Sequence, residues 1–172
     1  MTKPDLSRLA TEAQNPHTAG LDAMPTLQLV TAMNDEDRHV ADAVRHELPR
    51  IAAAVDAIAE RMRKGGRLVY CGAGTSGRLG VLDAVECPPT FSASQDQVVG
   101  LIAGGANAIF KAVEGAEDSE TLGEADLREI SIGPKDCVVG IAASGRTPYV
   151  TGALRYARPC HALTVAVVCN RD

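Results

Sequence analysis

LVYCGAGTSGRLG, Leu68 to Gly80, decides the fold: an apolar run, a turn spelled Gly72-x-Gly74-x-x-Gly77, and then the helical pattern Val81-Leu82-Asp83-Ala84-Val85. Strand, glycine turn and helix in that order begin a β-α-β unit. Three more continuous apolar runs follow, VVGLIA at 98–103, CVVGIAA at 137–143 and LTVAVVC at 163–169. Runs that do not alternate mark strands buried on both faces, so helical patterns at about 76–86, 105–113, 119–130 and 147–158 predict crossovers of a parallel sheet. The expected class is α/β, a three-layer doubly wound parallel sheet, with an N-terminal helical extension.

The G-x-G-x-x-G spacing also cradles dinucleotide pyrophosphates, but that reading needs an acid about 20 residues on, at the end of the second strand. That strand ends in Ala103-Gly104-Gly105-Ala106, and Asp96 lies before it. A Walker-type loop fails too, since Arg78 stands where the lysine would be. What remains is a pair of hydroxyl-rich loops, Thr75-Ser76 and Ser144-Gly145-Arg146-Thr147, each opening a helix after a strand and each beside an arginine. Helix N-termini with hydroxyls suit a small phosphate monoester. Ordinary N-capping is the plain alternative for either loop alone; two such loops on one sheet favour the anion.

Two acids stand near these loops. Glu86 falls at the predicted end of the first crossover helix, before Cys87-Pro88-Pro89, where the helix dipole would raise a carboxyl pKa and suit a proton donor. Glu114, Glu117 and Asp118 follow in AVEGAEDSE, where Gly115 breaks a helical run; acids beyond Asp118 read as a solvated face. An acid and a base held across a phosphate-anchored substrate would make a proton-transfer site. The four histidines are dispersed with no ligand spacing, so no metal is expected, and no nucleophile elbow is present.

The first 25 residues, with Pro4, Asn15-Pro16 and Pro25, predict a loop-rich arm. A short helix is expected from Thr26 to Met33, and Asn34 before Asp35-Glu36-Asp37 predicts the cap of a new one. Val44, Leu48, Ile51, Val55, Ile58 and Met62 form one apolar stripe that Pro49 splits or kinks, expected to pack on the core, with a subunit seam as the alternative. The chain divides into residues 1–64, an arm with helices, and 65–172, the sheet domain. A net charge of −5 with scattered lysines and arginines excludes nucleic-acid and anionic-membrane surfaces. Five cysteines without C-x-x-C spacing read as small buried hydrophobes, and with no signal peptide or apolar span the expectation is a cytoplasmic protein. The last strand reaches Cys169 and the chain stops at Asp172, so the sheet domain reads as incomplete at its C-terminus.

These motifs together resemble the N-acetylmuramic acid 6-phosphate etherases, built on a sugar isomerase (SIS) domain. TEAQN, NDED, GAGTSGRLG, LDA, ECPPTF, VVGLIAGG, AVEGAEDS and VVGIAASGRTPYV carry the resemblance from about Thr11 to Asn170. It implies cleavage of the D-lactyl ether of N-acetylmuramic acid 6-phosphate to N-acetylglucosamine 6-phosphate and D-lactate, by elimination and hydration, in peptidoglycan recycling. It implies no cofactor or metal, and a homodimer with active sites at its interface. The family's two active-site glutamates fall on Glu86 and Glu117. Thr75, Ser76, Ser144 and Thr147 would hold the phosphate, with Gly74, Gly77 and Gly145 allowing close backbone approach. Family members continue well past Asp172, which leaves a non-catalytic sugar-phosphate binder like glucokinase regulatory protein, or an inactive truncated fragment, as alternatives.

Overall fold

The computed structural model describes residues 10–170; Pro4 and the final Arg171-Asp172 lie outside the described residues. Two compact units divide in the chain between Val55 and Asp56. The first holds three short 3-10 turns, the helix α1 (Thr26–Arg45) and the opening of α2 (Leu48–Arg63). No new helix starts at Asn34, which lies inside α1. Its acidic neighbours work along the helix instead: Arg38 donates to Asp35, and Glu36 accepts from Asn15 Nδ2 at 2.7 Å and meets His17 Nδ1 at 3.0 Å. These bonds, Asn15 first and His17 next, hold the Glu36 carboxyl below its usual range and tie the Pro16–Thr18 turn to α1. The histidines, which show no partner by spacing, thus find a carboxylate by folding.

Pro49 neither kinks nor ends a helix. The break comes at His46-Glu47, and Pro49 occupies the second position of α2, where its missing N–H costs nothing. Of the apolar stripe, Val44, Leu48, Ile51 and Val55 in the first unit are 46%, 52%, 42% and 56% exposed, and Ile58 and Met62 in the second are half-buried.

The second unit is the predicted parallel sheet. Its strands are β1 (Leu68–Gly72), β2 (Val98–Ile102), β3 (Cys137–Ile141) and β4 (Leu163–Val167), in the order β2-β1-β3-β4. Register aligns Gly72 with Ile102 on one side and Ile141 on the other. The connection from β1 steps outward to β2, and that from β3 steps outward to β4. Right-handed crossovers in opposite directions place their helices on opposite faces. Accordingly α3 (Gly74–Phe91) covers β1 and β2, while α5 (Glu120–Glu129) and α6 (Pro148–Ala157) pack together on the other face. Leu127, Tyr149, Ala153 and Ala157 bury there against Val69, Cys71 and Val138. Cys71 and Cys137 are buried as expected, whereas Cys169 is exposed.

Small residues set how closely these layers approach. A Cβ on Gly123 would stand 2.0 Å from the Tyr149 carbonyl oxygen, and one on Gly152 would stand 2.2 Å from that of Glu120. Backbone cannot yield to a methyl group at those distances, so Gly123→Ala is expected to cost about 1–3 kcal/mol in a denaturant titration. Gly133→Ala, where nothing lies within 4 Å, should leave the midpoint nearly unchanged. The acidic face of α5 also does more than face solvent: Asp126 accepts a 2.5 Å bond from the buried Tyr149 hydroxyl. Burial first, and that bond second, push the Tyr149 pKa well above its usual value.

At the opposite edge of the sheet, Arg67 and the buried Asp136 form a closed clamp. Asp136 Oδ1 accepts from the Arg67 backbone N at 2.9 Å and Nε at 3.1 Å, and Oδ2 accepts from Arg67 Nη2 at 2.8 Å and Gly133 N at 2.9 Å. The remaining η nitrogen donates to the Ile130 carbonyl at 3.0 Å. The entry points of β1 and β3 are thereby locked together.

Two helices depart from expectation. The helix predicted at 105–113 is the single turn α4 (Asn107–Phe110), preceded by Gly104 and Gly105 with φ of +89° and +69°. The helix expected to end at Glu86 continues through Pro88 and Pro89 to Phe91. Each proline forfeits one intrahelical bond, and Ser92 closes the helix in the left-handed region with its N–H on the Pro88 carbonyl. Glu86 therefore sits inside the helix and not at its C-terminal end.

Candidate functional site

The strand order reverses direction between β1 and β3, so the crevice of a doubly wound sheet opens where these two strands end. Both hydroxyl-rich loops emerge there, Ala73–Gly77 from β1 and Ala142–Thr147 from β3. At the first, Gly74 has φ of +54° and begins α3, leaving Thr75 and Ser76 in the first turn. At the second, Gly145 has φ of +72° and its N–H closes a turn on the Ala142 carbonyl at 2.9 Å.

Capping, the plain alternative for these loops, is not what the hydroxyls do. The position before α3 is Ala73, which has no side chain to offer, and Thr147 before α6 makes no side-chain cap. Ser144 Oγ instead accepts from Arg146 N at 3.2 Å within the loop, and its carbonyl accepts from Asn170 Nδ2 at 3.3 Å. Two helix N-termini therefore keep donors directed at one crevice, beside four hydroxyls. That arrangement can hold a dianion such as a phosphate monoester.

The glycines divide by role. Gly74 and Gly145 supply left-handed backbone at the loop surface, and nothing lies within 4 Å of a Cβ built on Gly74. Gly77 does not face the crevice. It is buried, with its Cβ direction 2.6 Å from the Gly72 carbonyl oxygen and 2.7 Å from Ile102 Cγ1, so its lack of a side chain serves helix-to-strand packing.

A pocket of about 150 Å³ adjoins the first loop. Gly74 and Arg78 of α3 form one wall, Ala103 and Ala108 its floor, and Val113 to Glu117 the other wall. Glu117 sits in the 3-10 turn Ala116–Asp118, which Gly115 enters at φ +75° and whose Ala116 is buried. The turn packs on α6, and Glu117 lines the pocket with Gly74. Glu114 lines the same pocket, a second carboxyl the sequence placed in the segment without singling it out. Arg78, expected beside the first hydroxyl loop, lines the same pocket.

Glu86 is not part of this pocket. It lies twelve residues beyond Gly74 in the same helix, about 18 Å farther along by helical rise. Its side chain is exposed, on a face that also carries Leu79, Leu82 and Val85 at 56%, 58% and 63% exposure. Within one chain Gly74 and Glu117 line one pocket, and Glu86 does not. No group of three or more metal-ligating side chains occurs among the described residues, and no described helix is long and apolar enough to cross a membrane.

The profile of the glucokinase regulatory protein N-terminal SIS domain matches residues 50–158. The N-acetylmuramic acid 6-phosphate etherase of Clostridium beijerinckii is 58% identical over 172 residues, covering all of this chain and 57% of that protein. The etherase of Salmonella choleraesuis is 58% identical over 168 residues, covering 98% of this chain and 57% of its own length. The chain thus spans a little over half the length of the curated relatives it matches. Among solved structures, a phosphoheptose isomerase from Francisella tularensis superposes with a TM-score of 0.65 at 18% identity, over 84% of this chain and 76% of that one. A phosphoheptose isomerase from Neisseria gonorrhoeae gives 0.64 at 18%, over 83% and 75%. At that identity the likeness concerns the fold.

Proposed function

The chain belongs to the family of SIS domains represented by the N-terminal domain of glucokinase regulatory protein, and from that premise we propose that it acts as an N-acetylmuramic acid 6-phosphate etherase. The 58% identity to etherases across the whole chain carries the reading. The crevice supports its substrate class, since two uncapped helix N-termini beside four hydroxyls meet the needs of a sugar 6-phosphate.

In the mechanism, first-turn N–H groups of α3 and α6, with Thr75, Ser76, Ser144 and Thr147, hold the phosphate. Gly74 and Gly145 let the backbone approach it. In the open-chain sugar the C2 proton lies α to the C1 aldehyde. A carboxylate removes that proton, the C2–C3 double bond forms, and the C3–O bond breaks as a second carboxyl protonates the departing lactate oxygen. Water then adds to the unsaturated aldehyde, so ether and water become N-acetylglucosamine 6-phosphate and D-lactate.

Glu117, facing the pocket beside the phosphate loops, is the carboxyl supplied in place. Glu86 is the second, and it reaches the substrate from another copy of the chain. Its distance from its own pocket and the exposed leucines around it support a homodimer in which α3 faces meet. The setting is cytoplasmic recycling of peptidoglycan amino sugars.

The deciding experiment is D-lactate release from N-acetylmuramic acid 6-phosphate, followed with N-acetylglucosamine 6-phosphate formation. Equimolar appearance of both products is the expected result. The other reading, a sugar-phosphate binder like glucokinase regulatory protein, rests on the family match and on Glu86 lying outside its own pocket. Saturable binding of N-acetylglucosamine 6-phosphate without lactate release would select it. Thr75→Val with Ser76→Ala should raise KM or Kd roughly tenfold under either reading, the loss of one or two hydrogen bonds to a charged oxygen.

A further inference from the structure

We infer that Arg78 is a positioning residue that holds the Glu117 turn against the phosphate-binding end of α3. The inference rests on the proposed role of Glu117 and adds the group that keeps it in place. Arg78 lies one turn beyond Thr75 and Ser76, half-buried, and its guanidinium is committed to two carbonyls. Nε donates to Ile109 O at 2.9 Å and Nη2 to Ala108 O at 2.8 Å. Both carbonyls belong to α4, whose single turn leaves its C-terminal oxygens without intrahelical partners. A planar fork meets two adjacent carbonyls in a way an ammonium group cannot.

The need for such a strut follows from how little else anchors this wall. From Gly104 to Glu117 only Ala108 and Ala116 are buried, and the segment opens on two glycines in the left-handed region. Two alanine side chains bury little apolar surface against the conformational freedom of fourteen residues. Arg78 ties α4 to the same helix whose first turn faces the phosphate, and both walls of the pocket then share one rigid element. The Glu117 carboxyl keeps its distance from Gly74 because the segment between them is pinned at Ala108 and Ile109.

Arg78→Ala tests this by two readouts. Lactate release should fall about tenfold to a hundredfold in kcat with KM changed less than about threefold, the cost of an ångström-scale misplacement of an acid–base group. Added ethylguanidinium should restore a measurable part of the loss, and ethylammonium at equal concentration should not. Amide hydrogen exchange should quicken across Asn107–Asp118 while the four strands keep their protection. Unchanged kcat, or rescue by ethylammonium equally well, would overturn the strut. Faster exchange throughout the sheet would also overturn it, by showing a general loss of stability. Absence of lactate release from the unsubstituted protein would sink the etherase reading alone, because local exchange in Arg78→Ala still reports whether the guanidinium pins the segment.

Discussion

Mixing a Glu86→Gln chain with a Glu117→Gln chain is expected to restore lactate release to about a quarter of the unsubstituted rate, although each variant alone is reduced by roughly 10²–10⁴-fold, the usual contribution of a general acid or base. The expectation follows from the geometry of α3. Glu117 lines the pocket that contains Gly74, whereas Glu86 stands about 18 Å along the helix and faces outward. Under the proposed reading, a sugar phosphate anchored at Gly74 would meet its own chain's Glu117 and another chain's Glu86. Random pairing makes half the dimers mixed, and in each mixed dimer one of two sites combines an intact Glu86 with an intact Glu117. No recovery after subunit exchange, with mixed dimers verified by mass, would mean that both carboxyls act within one chain. Glutamine keeps the volume and removes the ionisable group, so the readout concerns proton transfer and not packing.

Arg67→Met is expected to destabilise the sheet unit by about 3 kcal/mol near neutral pH, because it leaves the Asp136 carboxylate, 6% exposed, without its cation. In the intact protein, burial pushes the Asp136 pKa up, but the Arg67 side chain and the Arg67 and Gly133 backbone N–H groups outweigh it, and the net shift is downward from 3.8. A depressed carboxyl pKa stabilises the folded state fully above the unfolded value and ceases to do so as pH falls through the folded one. The intact protein should thus lose this contribution only below about pH 4. In Arg67→Met the two backbone N–H donors remain but the cation is gone, so burial is less opposed and protonation relieves the buried charge; the two denaturation midpoints should converge as pH is lowered toward 3. A gap that stayed constant with pH would assign the loss to the arginine's packing and remove the electrostatic account.

Much of the sheet was legible because its signals are local and redundant. LVYC, VVGLI and CVVGI are continuous apolar runs that form the expected parallel strands, whereas LTVAV pairs in the same sheet with none of its residues buried, the bare face expected of the last strand. The crossover after β1 was misjudged at its end, since Pro88 and Pro89 are breakers by rule and yet lie within α3. A helix held along its length by β1 and β2 tolerates two lost bonds near its last turn. Asn34 misled in the same way, as a good cap followed by acids whose partners, Asn15 and His17, lie about twenty residues upstream.

The residue types proposed to hold an anion in the crevice were visible in the sequence. Paired Gly-x-hydroxyl turns after two strands imply an anion site, because glycine sterics, hydroxyl donors and helix polarity are properties of a few adjacent residues. Which residues share that crevice was not written there. Glu86 and Glu117 look alike as acids near loops, but twelve residues of the helix α3 carry Glu86 away from the pocket that Glu117 lines. Arg78 reads as a surplus charge until α4 presents two carbonyls to it across thirty residues of chain. Local sequence sets which backbone and side-chain groups exist and which elements they form. Distances between groups far apart in the chain come from how those elements pack, through contacts such as Gly100 on Val81 and Gly123 on Tyr149 that no neighbouring residue encodes.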